Sequence, residues 1–569
     1  MIGKLFGFGH KIDIEEAKKT RQQLSESPSA FHQKETFTPG ENIIDREEDR
    51  IKILRKLAGN RSQLIEISEG KYIDIINFDE KGEVTETETK KKEAKIQDSE
   101  KQKTFEVKRT SSGEWEIIEH DDLSKAEIRT AISEGQLHKG EIEVAGKKKL
   151  TVLYWGNGDG NLEPLVIRKL LDLEKIGSTE DINIVAQISR SSQEEIKDYF
   201  GEEYVESNID GNWSKQARRY YVTKGEVEEN PLPKLVKETV DSPVIENLGN
   251  IDMTDKTELL DFLITEMKAF PAEHYMVVYF DHGQGWKGVA LDKEDTPSIS
   301  PEDMGEITKK VKEATGQNID IMVMENCLEG QAEALYPMKD STDYIIASPE
   351  ILWGSAFADN PGPIHLREGL EIIQRNEQNE LNNPRLAATS LLKATANKNH
   401  AITLSVVDSK KLDALAEATE KLKEAIEKAG VTGEEICRAA EKTQQYEILN
   451  SPDNKHGFVD IGDLSDNIEA SIEHSEVKKA ARELRETLDK TVVARLNMQS
   501  DRIECQSDDG NGFISIEGNV KRCHGLSINL GKQESDIERK TYESLSFNRK
   551  TGWDEIIQKA NWTNSISEK

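Results

Sequence analysis

Two side chains in this sequence stand where bond-breaking chemistry is usually presented. His282 lies in Tyr279-Phe280-Asp281-His282-Gly283-Gln284-Gly285-Trp286, directly after the apolar run Tyr275 to Phe280. Cys327 lies in Glu325-Asn326-Cys327-Leu328-Glu329-Gly330, directly after the run Ile319 to Met324. Each run reads as a buried strand ending in a polar, glycine-containing turn, the place where an α/β sheet exposes functional groups. A thiol can act as a nucleophile once it is a thiolate, and an imidazole can hand a proton to a leaving amine. Gly283 adds a backbone N–H that no Cβ screens, suited to hydrogen-bonding a carbonyl oxygen. Alone, Cys327 reads as a structural thiol and His282 as a satisfied strand-end residue. It is their matched settings that point to a shared site. Cys327 is also expected to open a helix over 328–338, whose N-terminus would favour the thiolate. No third residue to orient the imidazole is evident.

The histidine precedes the cysteine by 45 residues (282 to 327), close to the spacing of caspase-type thiol peptidases. The two motifs resemble those of the clostripain family, caspase-like cysteine peptidases that usually cut after Arg or Lys. That family carries Asp-His-Gly-x-Gly-Trp at its histidine and Asp-Ala-Cys-Leu-x-Gly at its cysteine. The resemblance extends to Thr151-Val152-Leu153-Tyr154-Trp155, with the Asn161-Leu162-Glu163 turn that follows, and to Ala217-Arg218-Arg219-Tyr220. It continues through Asp343 to Glu350, Phe458 to Ile461 and Gly525 to Ile528. It covers roughly residues 148 to 535 and does not reach the first 140 or so.

The resemblance implies a Cys327–His282 dyad, with the N–H groups of Gly283 and Cys327 forming the oxyanion hole. It places Glu325 where the family has the aspartate that pairs with a basic P1 side chain (the residue just before the cut), so protein or peptide substrates with Lys or Arg at P1 are expected. Ser348 and Glu350 would line the same pocket, while Asn326 and Trp353-Gly354 depart from the family pattern. The departures keep a second reading open, a catalytically weak scaffold or binding protein. Relatives often cut themselves shortly after the histidine strand. Here the stretch Asp292 to Ser298 has turn composition, so a zymogen cleaved after Lys293, or secondarily Lys287, is expected.

The remaining sequence sets bounds. The chain has 569 residues, 76 basic and 108 acidic side chains and a net charge of −32, which argues against nucleic acid as partner. No apolar stretch reaches a membrane span. Met1 to Lys11 is too short and glycine-rich for a secretory signal, which makes cytoplasmic the expected location. Four cysteines in a chain this long make no disulfide framework. There is no CxxC pair, His-Glu-x-x-His or phosphate loop, so a metallopeptidase or NTPase has no support. Asn157-Gly158-Asp159-Gly160-Asn161 lacks the register of a calcium loop and reads as turn chemistry plus a helix cap. No metal or cofactor is expected, with calcium left open because some relatives depend on it.

Those turns need a scaffold. The alternating strand and helix patterns from Leu150 onward indicate α/β, and with the resemblance a caspase-like, mainly parallel sheet flanked by helices. Strands are expected at 150–155, 182–188, 275–280, 319–324, 343–347 and 401–407. Helices are expected at 162–175, 257–269, 302–315 and 328–338, with Arg218 to Tyr221 in a side hairpin. The divisions are residues 1–40, disordered or loosely attached; 41–147, a small α+β domain of unknown role; 148–400, the peptidase core; and 401–569, a mostly helical C-terminal region. In the small domain, Asn42 to Leu57 reads as a helix and Thr85 to Gln102 as a charged loop. In the last division, helices are expected near 411–429, 433–447 and 475–496, and 512–516 is expected to pair with 525–530.

Overall fold

The computed structural model describes residues 147–561 apart from 193, 196–212, 226–239, 292–296, 353–362, 399–402, 447–456, 498–501, 507–512, 518–521 and 534, and the backbone of seven strands between 42 and 120. Lys293, Trp353, Gly354 and residues 1–40 therefore lie outside the described residues. The chain divides into two compact units, Met1–Glu143 and Val144–Lys569.

The first unit holds a five-stranded antiparallel meander of β1 (Asn42–Glu47), β2 (Arg50–Lys56), β3 (Ser62–Ser68), β4 (Tyr72–Phe78) and β5 (Val84–Lys91). A separate hairpin pairs β6 (Thr104–Arg109) with β7 (Trp115–His120). Two expectations change here. The segment from Asn42 is a hairpin instead of a helix, in keeping with the strand preference of its β-branched Ile43, Ile44, Ile51 and Ile53. The start of the expected charged loop is β5, which pairs with β4.

The second unit is built on a nine-stranded sheet. Its strands are β8 (Lys148–Gly156), β9 (Ile182–Ser189), β10 (Ala217–Tyr221), β11 (Val244–Gly249), β12 (Ala272–Phe280), β15 (Ile319–Glu325), β16 (Thr342–Ala347), β17 (Leu404–Asp408) and β19 (Val492–Leu496). The small pair β13 (Val289–Leu291) and β14 (Pro297–Ile299) lies outside it, as does β18 (Phe458–Asp460). The order is β11-β10-β9-β8-β12-β15-β16-β17-β19. The five central strands pair in parallel, and the strands at both edges run antiparallel. The sheet is thus mixed with a parallel centre, and Arg218 to Tyr221 belongs to it instead of forming a side hairpin.

Near-continuous apolar runs suit strands covered on both faces. Val152, Leu153, Tyr154 and Trp155 of β8 and Met276 to Tyr279 of β12 are fully buried. On one face Val152 and Tyr154 share a core with Val166 and Leu170 of helix α1 (Glu163–Glu174) and with Leu370 and Leu391. On the other, Trp155 packs on Phe262 of helix α2 (Lys256–Ala269), ring centroids 5.6 Å apart. Asp255 caps α2 by accepting the N–H of Thr257.

Past residue 400 the chain is helical but not separate, since β17 and β19 extend the main sheet. Leu412–Lys428 is a helix close to the expected span. The other two end early, as Gly433–Ala440 and Ser475–Thr491. Residues 492–496, expected to continue the last of these, form β19. Strands β20 (Arg502–Gln506) and β21 (Phe513–Glu517) pair with each other, while β22 (Ser527–Asn529) pairs with β18. No described helix is long and apolar enough to cross a membrane.

Candidate active site

Strand register brings the two motifs side by side. In the parallel pair β12–β15, Phe280 stands opposite Glu325, and each chain runs two residues further to His282 and Cys327. The turns are then stitched together. Asn326 Nδ2 donates to the carbonyls of Asp281 at 3.0 Å and His282 at 3.3 Å. A Cβ added to Gly283 would sit 2.6 Å from the Cys327 carbonyl oxygen, so only glycine allows this approach. Gly283 also forms a bridge with Val289, closed by the N–H groups of Ala290 and Gln284. That pairing leaves the Gly283 N–H out. Asn326, a departure from the family pattern, thus holds the two turns together.

Cys327 and His282 are both half-buried. The Cys327 Sγ lies 3.8 Å from the Leu352 carbonyl. The expected helix directly after Cys327 is absent. Leu328 has φ of 65°, Gln331 is extended, and only Ala332–Leu335, helix α3, is α-helical. The backbone of this turn is spoken for elsewhere. Leu328 N–H donates to Glu350 O, and Gly330 N–H to Ser348 O at 2.7 Å. A Cβ at Gly330 would meet Pro349 N at 2.4 Å. A four-residue helix starting five positions on gives no dipole at Cys327, so the helix-terminus stabilisation expected for a thiolate there is missing.

The His282 Nε2 lies 2.9 Å from Asn161 Oδ1, on the turn after β8. Asp281 is buried; its carboxylate accepts the His282 N–H at 2.7 Å and Asn157 Nδ2 at 3.0 Å. Burial pushes its carboxyl up to about 7 against those hydrogen bonds. Glu329 accepts the Gly285 N–H at 3.0 Å, and its burial holds the carboxyl far above the usual range.

Glu325 is 2% exposed, and Lys169 of α1 donates to its Oε1 at 2.7 Å. The Ile364 N–H donates to the same oxygen at 3.1 Å. Oε2 is buried and has no hydrogen-bond partner among the described residues. Desolvation raises the Glu325 carboxyl, and the Lys169 ammonium opposes the shift. Ser348, also buried, closes its own turn by donating to Glu350 O and accepting Glu350 N–H. Glu350 Oε1 accepts the Ile351 N–H. Lys287 is tied down: its Nζ pairs with Glu538 at 2.7 Å, and the adjoining Trp286 packs edge-on against Tyr542.

Behind the cysteine turn, Glu333 accepts the Tyr542 hydroxyl at 2.7 Å and the Asn529 N–H at 2.9 Å. Its burial raises the carboxyl from 4.5 to about 7. The folded chain therefore holds a proton that the unfolded chain releases, so stability falls as pH climbs from about 4.5 to about 7. Glu333→Gln keeps the shape and removes the titration. Between pH 5 and pH 8 the variant should lose less stability than the wild type, by up to roughly 3 kcal/mol. Urea unfolding midpoints at the two pH values measure this, and parallel declines would contradict it.

The assignment of this chain follows from motif, geometry and comparison together. Among solved structures it is similar to a secreted C11 cysteine protease from Bacteroides thetaiotaomicron in complex with an irreversible peptide inhibitor. That likeness has 18% identity, a TM-score of 0.50, and covers 72% of this chain and 100% of the other. It is also similar to an inactive zymogen C11 protease from Parabacteroides distasonis, with 18% identity, a TM-score of 0.49, and coverage of 71% and 99%. No curated protein sequence matches. The model of the clostripain family matches residues 178–562, well over half of the chain. With the histidine and cysteine motifs on adjacent strand ends of the shared fold, the chain belongs to the clostripain family of cysteine peptidases.

Proposed function

We propose that the chain is an endopeptidase working through a Cys327–His282 dyad. The observation that carries this reading is the junction of the two strand-end turns through Asn326 and Gly283. In the reaction, Cys327 Sγ attacks the scissile carbonyl carbon, and the C=O electron pair moves onto oxygen, facing the N–H groups of Gly283 and Cys327. The C–N bond breaks as the imidazolium of His282 gives its proton to the leaving amine, leaving a thioester. Water then attacks the thioester, His282 takes its proton, and the thiolate departs. These steps call for no metal or cofactor.

We read the substrates as proteins or peptides with Lys or Arg at P1. In support, Glu325 Oε2 is a buried carboxylate oxygen lacking a partner among the described residues, at the position the family uses for a basic P1. A guanidinium or ammonium would satisfy it. A second reading is favoured by Lys169: if its ion pair uses up the charge of Glu325, the carboxylate is structural and P1 need not be basic. Acyloxymethyl ketone peptides ending in Lys, Arg or a neutral residue separate the two. Basic probes should modify Cys327, located by peptide mass mapping, at least about tenfold faster than the neutral probe. Equal rates would favour the structural role. No labelling by any probe would favour the scaffold.

Self-processing after Lys293 is part of the same proposal. Lys287, held by Glu538, is the weaker candidate, because a scissile residue must leave its surroundings to enter an active site.

A further inference from the structure

We propose that Asn161 is the positioning residue of His282, fixing which imidazole nitrogen handles the catalytic proton. The inference rests on the reading of His282 as the proton donor of Cys327. Three neighbouring parallel strands, β8, β12 and β15, end on three turns. The first carries Asn161, the second His282 and the third Cys327, so the imidazole's turn lies between the amide's and the thiol's.

Asn161 Oδ1 accepts from His282 Nε2 at 2.9 Å. A neutral imidazole that donates from Nε2 has its lone pair on Nδ1. Nδ1 is then the nitrogen that takes the thiol proton and later returns it to the leaving amine. The amide oxygen continues to accept when the ring is charged, so both protonation states keep one orientation.

The turn that presents Asn161 is braced on several sides. Asn157 N–H donates to the Phe280 carbonyl at 3.1 Å, and Asn157 Nδ2 to Asp281 at 3.0 Å. Gly158 N–H donates to Ser189 Oγ at 2.9 Å. Ser191 Oγ bonds the carbonyls of Gly158 and Gly160 and accepts the Gly160 N–H. Glu163, two residues beyond Asn161, accepts the Ser191 N–H at 2.7 Å and pairs with Arg190. Asn161 itself is exposed and caps nothing: the N-cap position of α1 is Leu162, with no side-chain cap. The sequence-based expectation of a helix cap here is therefore replaced by a bond to the imidazole. A rigid turn that spends its one outward amide on a histidine has the form of a preorganised orienting group.

The test uses the full chain with Asn161→Ala and Asn161→Asp, beside His282→Ala. Two readouts are taken: kcat and KM on a peptide with basic P1, and the pH profile of Cys327 alkylation by iodoacetamide, read by mass mapping. The second readout needs no turnover. The ionisable groups of the three turns are Asp159, Asp281, Glu325, Cys327 and Glu329, and all are common to both Asn161 variants, so differences from wild type report position 161. Asn161→Ala should lower kcat by roughly 10- to 100-fold with KM nearly unchanged, a part of the factor for acid–base help. Asn161→Asp retains the acceptor and adds a negative charge beside the ring. It should keep most of kcat near neutral pH and move the alkaline limb of the alkylation profile upward by about one unit. The proposal is overturned if Asn161→Ala, folded by thermal melting, keeps wild-type kcat and profile, or if Asn161→Asp moves no limb. If His282→Ala itself leaves the alkylation profile unchanged, the dyad falls and the proposal with it. A dyad sensitive to His282→Ala but not to Asn161→Ala overturns the positioning role alone.

Discussion

Cys327→Ala should abolish peptide-bond cleavage while the chain stays folded. In the proposed reaction the thiol supplies the one covalent bond to the substrate, and loss of a nucleophile of this kind typically removes roughly 10⁴-fold or more of turnover. The substitution removes one sulfur atom from a half-buried turn whose geometry is held by backbone bonds from Leu328 and Gly330 and by the Asn326 amide. His282→Ala should lower turnover by at least about 100-fold. Intact mass of the purified proteins adds an independent readout, with two fragments in the wild type and one chain in Cys327→Ala if the protein processes itself. An active, uncut wild type would remove self-processing and leave the dyad untouched. Near-normal turnover in His282→Ala would remove the dyad.

The second large effect belongs to Glu325. Glu325→Gln should weaken basic-P1 substrates by about 2 to 5 kcal/mol, roughly 30- to several-thousand-fold in kcat/KM, and neutral ones far less. The structure adds a complication that the measurement must separate. Removing the carboxylate also strands the Lys169 ammonium, which is 1% exposed, and an unpaired buried charge costs several kcal/mol of folding stability. The double variant Lys169→Met with Glu325→Gln removes that penalty. If the double variant melts near the wild type and still discriminates against basic P1, Glu325 is the receptor. Equal losses for basic and neutral P1 would make it a structural carboxylate.

The sheet centre was legible because parallel strands covered on both faces read as unbroken apolar runs, as in Ile319 to Met324. The neighbouring histidine and cysteine turns were legible because glycine-containing turns follow two of those runs. The cysteine turn has the local pattern of a helix start but does not form one. Its sequence Gln331 to Met338 is helix-compatible, but Gly330 packs against Pro349 and Gln331 bridges to Ser527, contacts between distant segments that no local pattern records. The helices Leu366–Arg375, Pro384–Lys398 and Ile461–Ser471 went unread. Lys169 was invisible for a related reason, since a lysine on an amphipathic helix reads as a solvated charge until its partner, 156 residues away, is known. Asn161 belongs to a recognisable motif, but an asparagine after a strand has an ordinary explanation in turn chemistry.

The bond between Ser527 and the Gly330 carbonyl has a consequence for the order of events during synthesis. The turn that carries the nucleophile is braced from behind by β22 and by Tyr542, through Ser527, Asn529 and Glu333. Ser527 follows Gly330 by 197 residues. A ribosome adding about 5–20 residues per second needs on the order of ten seconds or more to cross that interval. Throughout it the emerging chain already contains His282 and Cys327 but lacks the strand that braces the cysteine turn from behind. A chain built this way can complete the brace behind its cysteine turn only after Ser527 and Tyr542 have emerged.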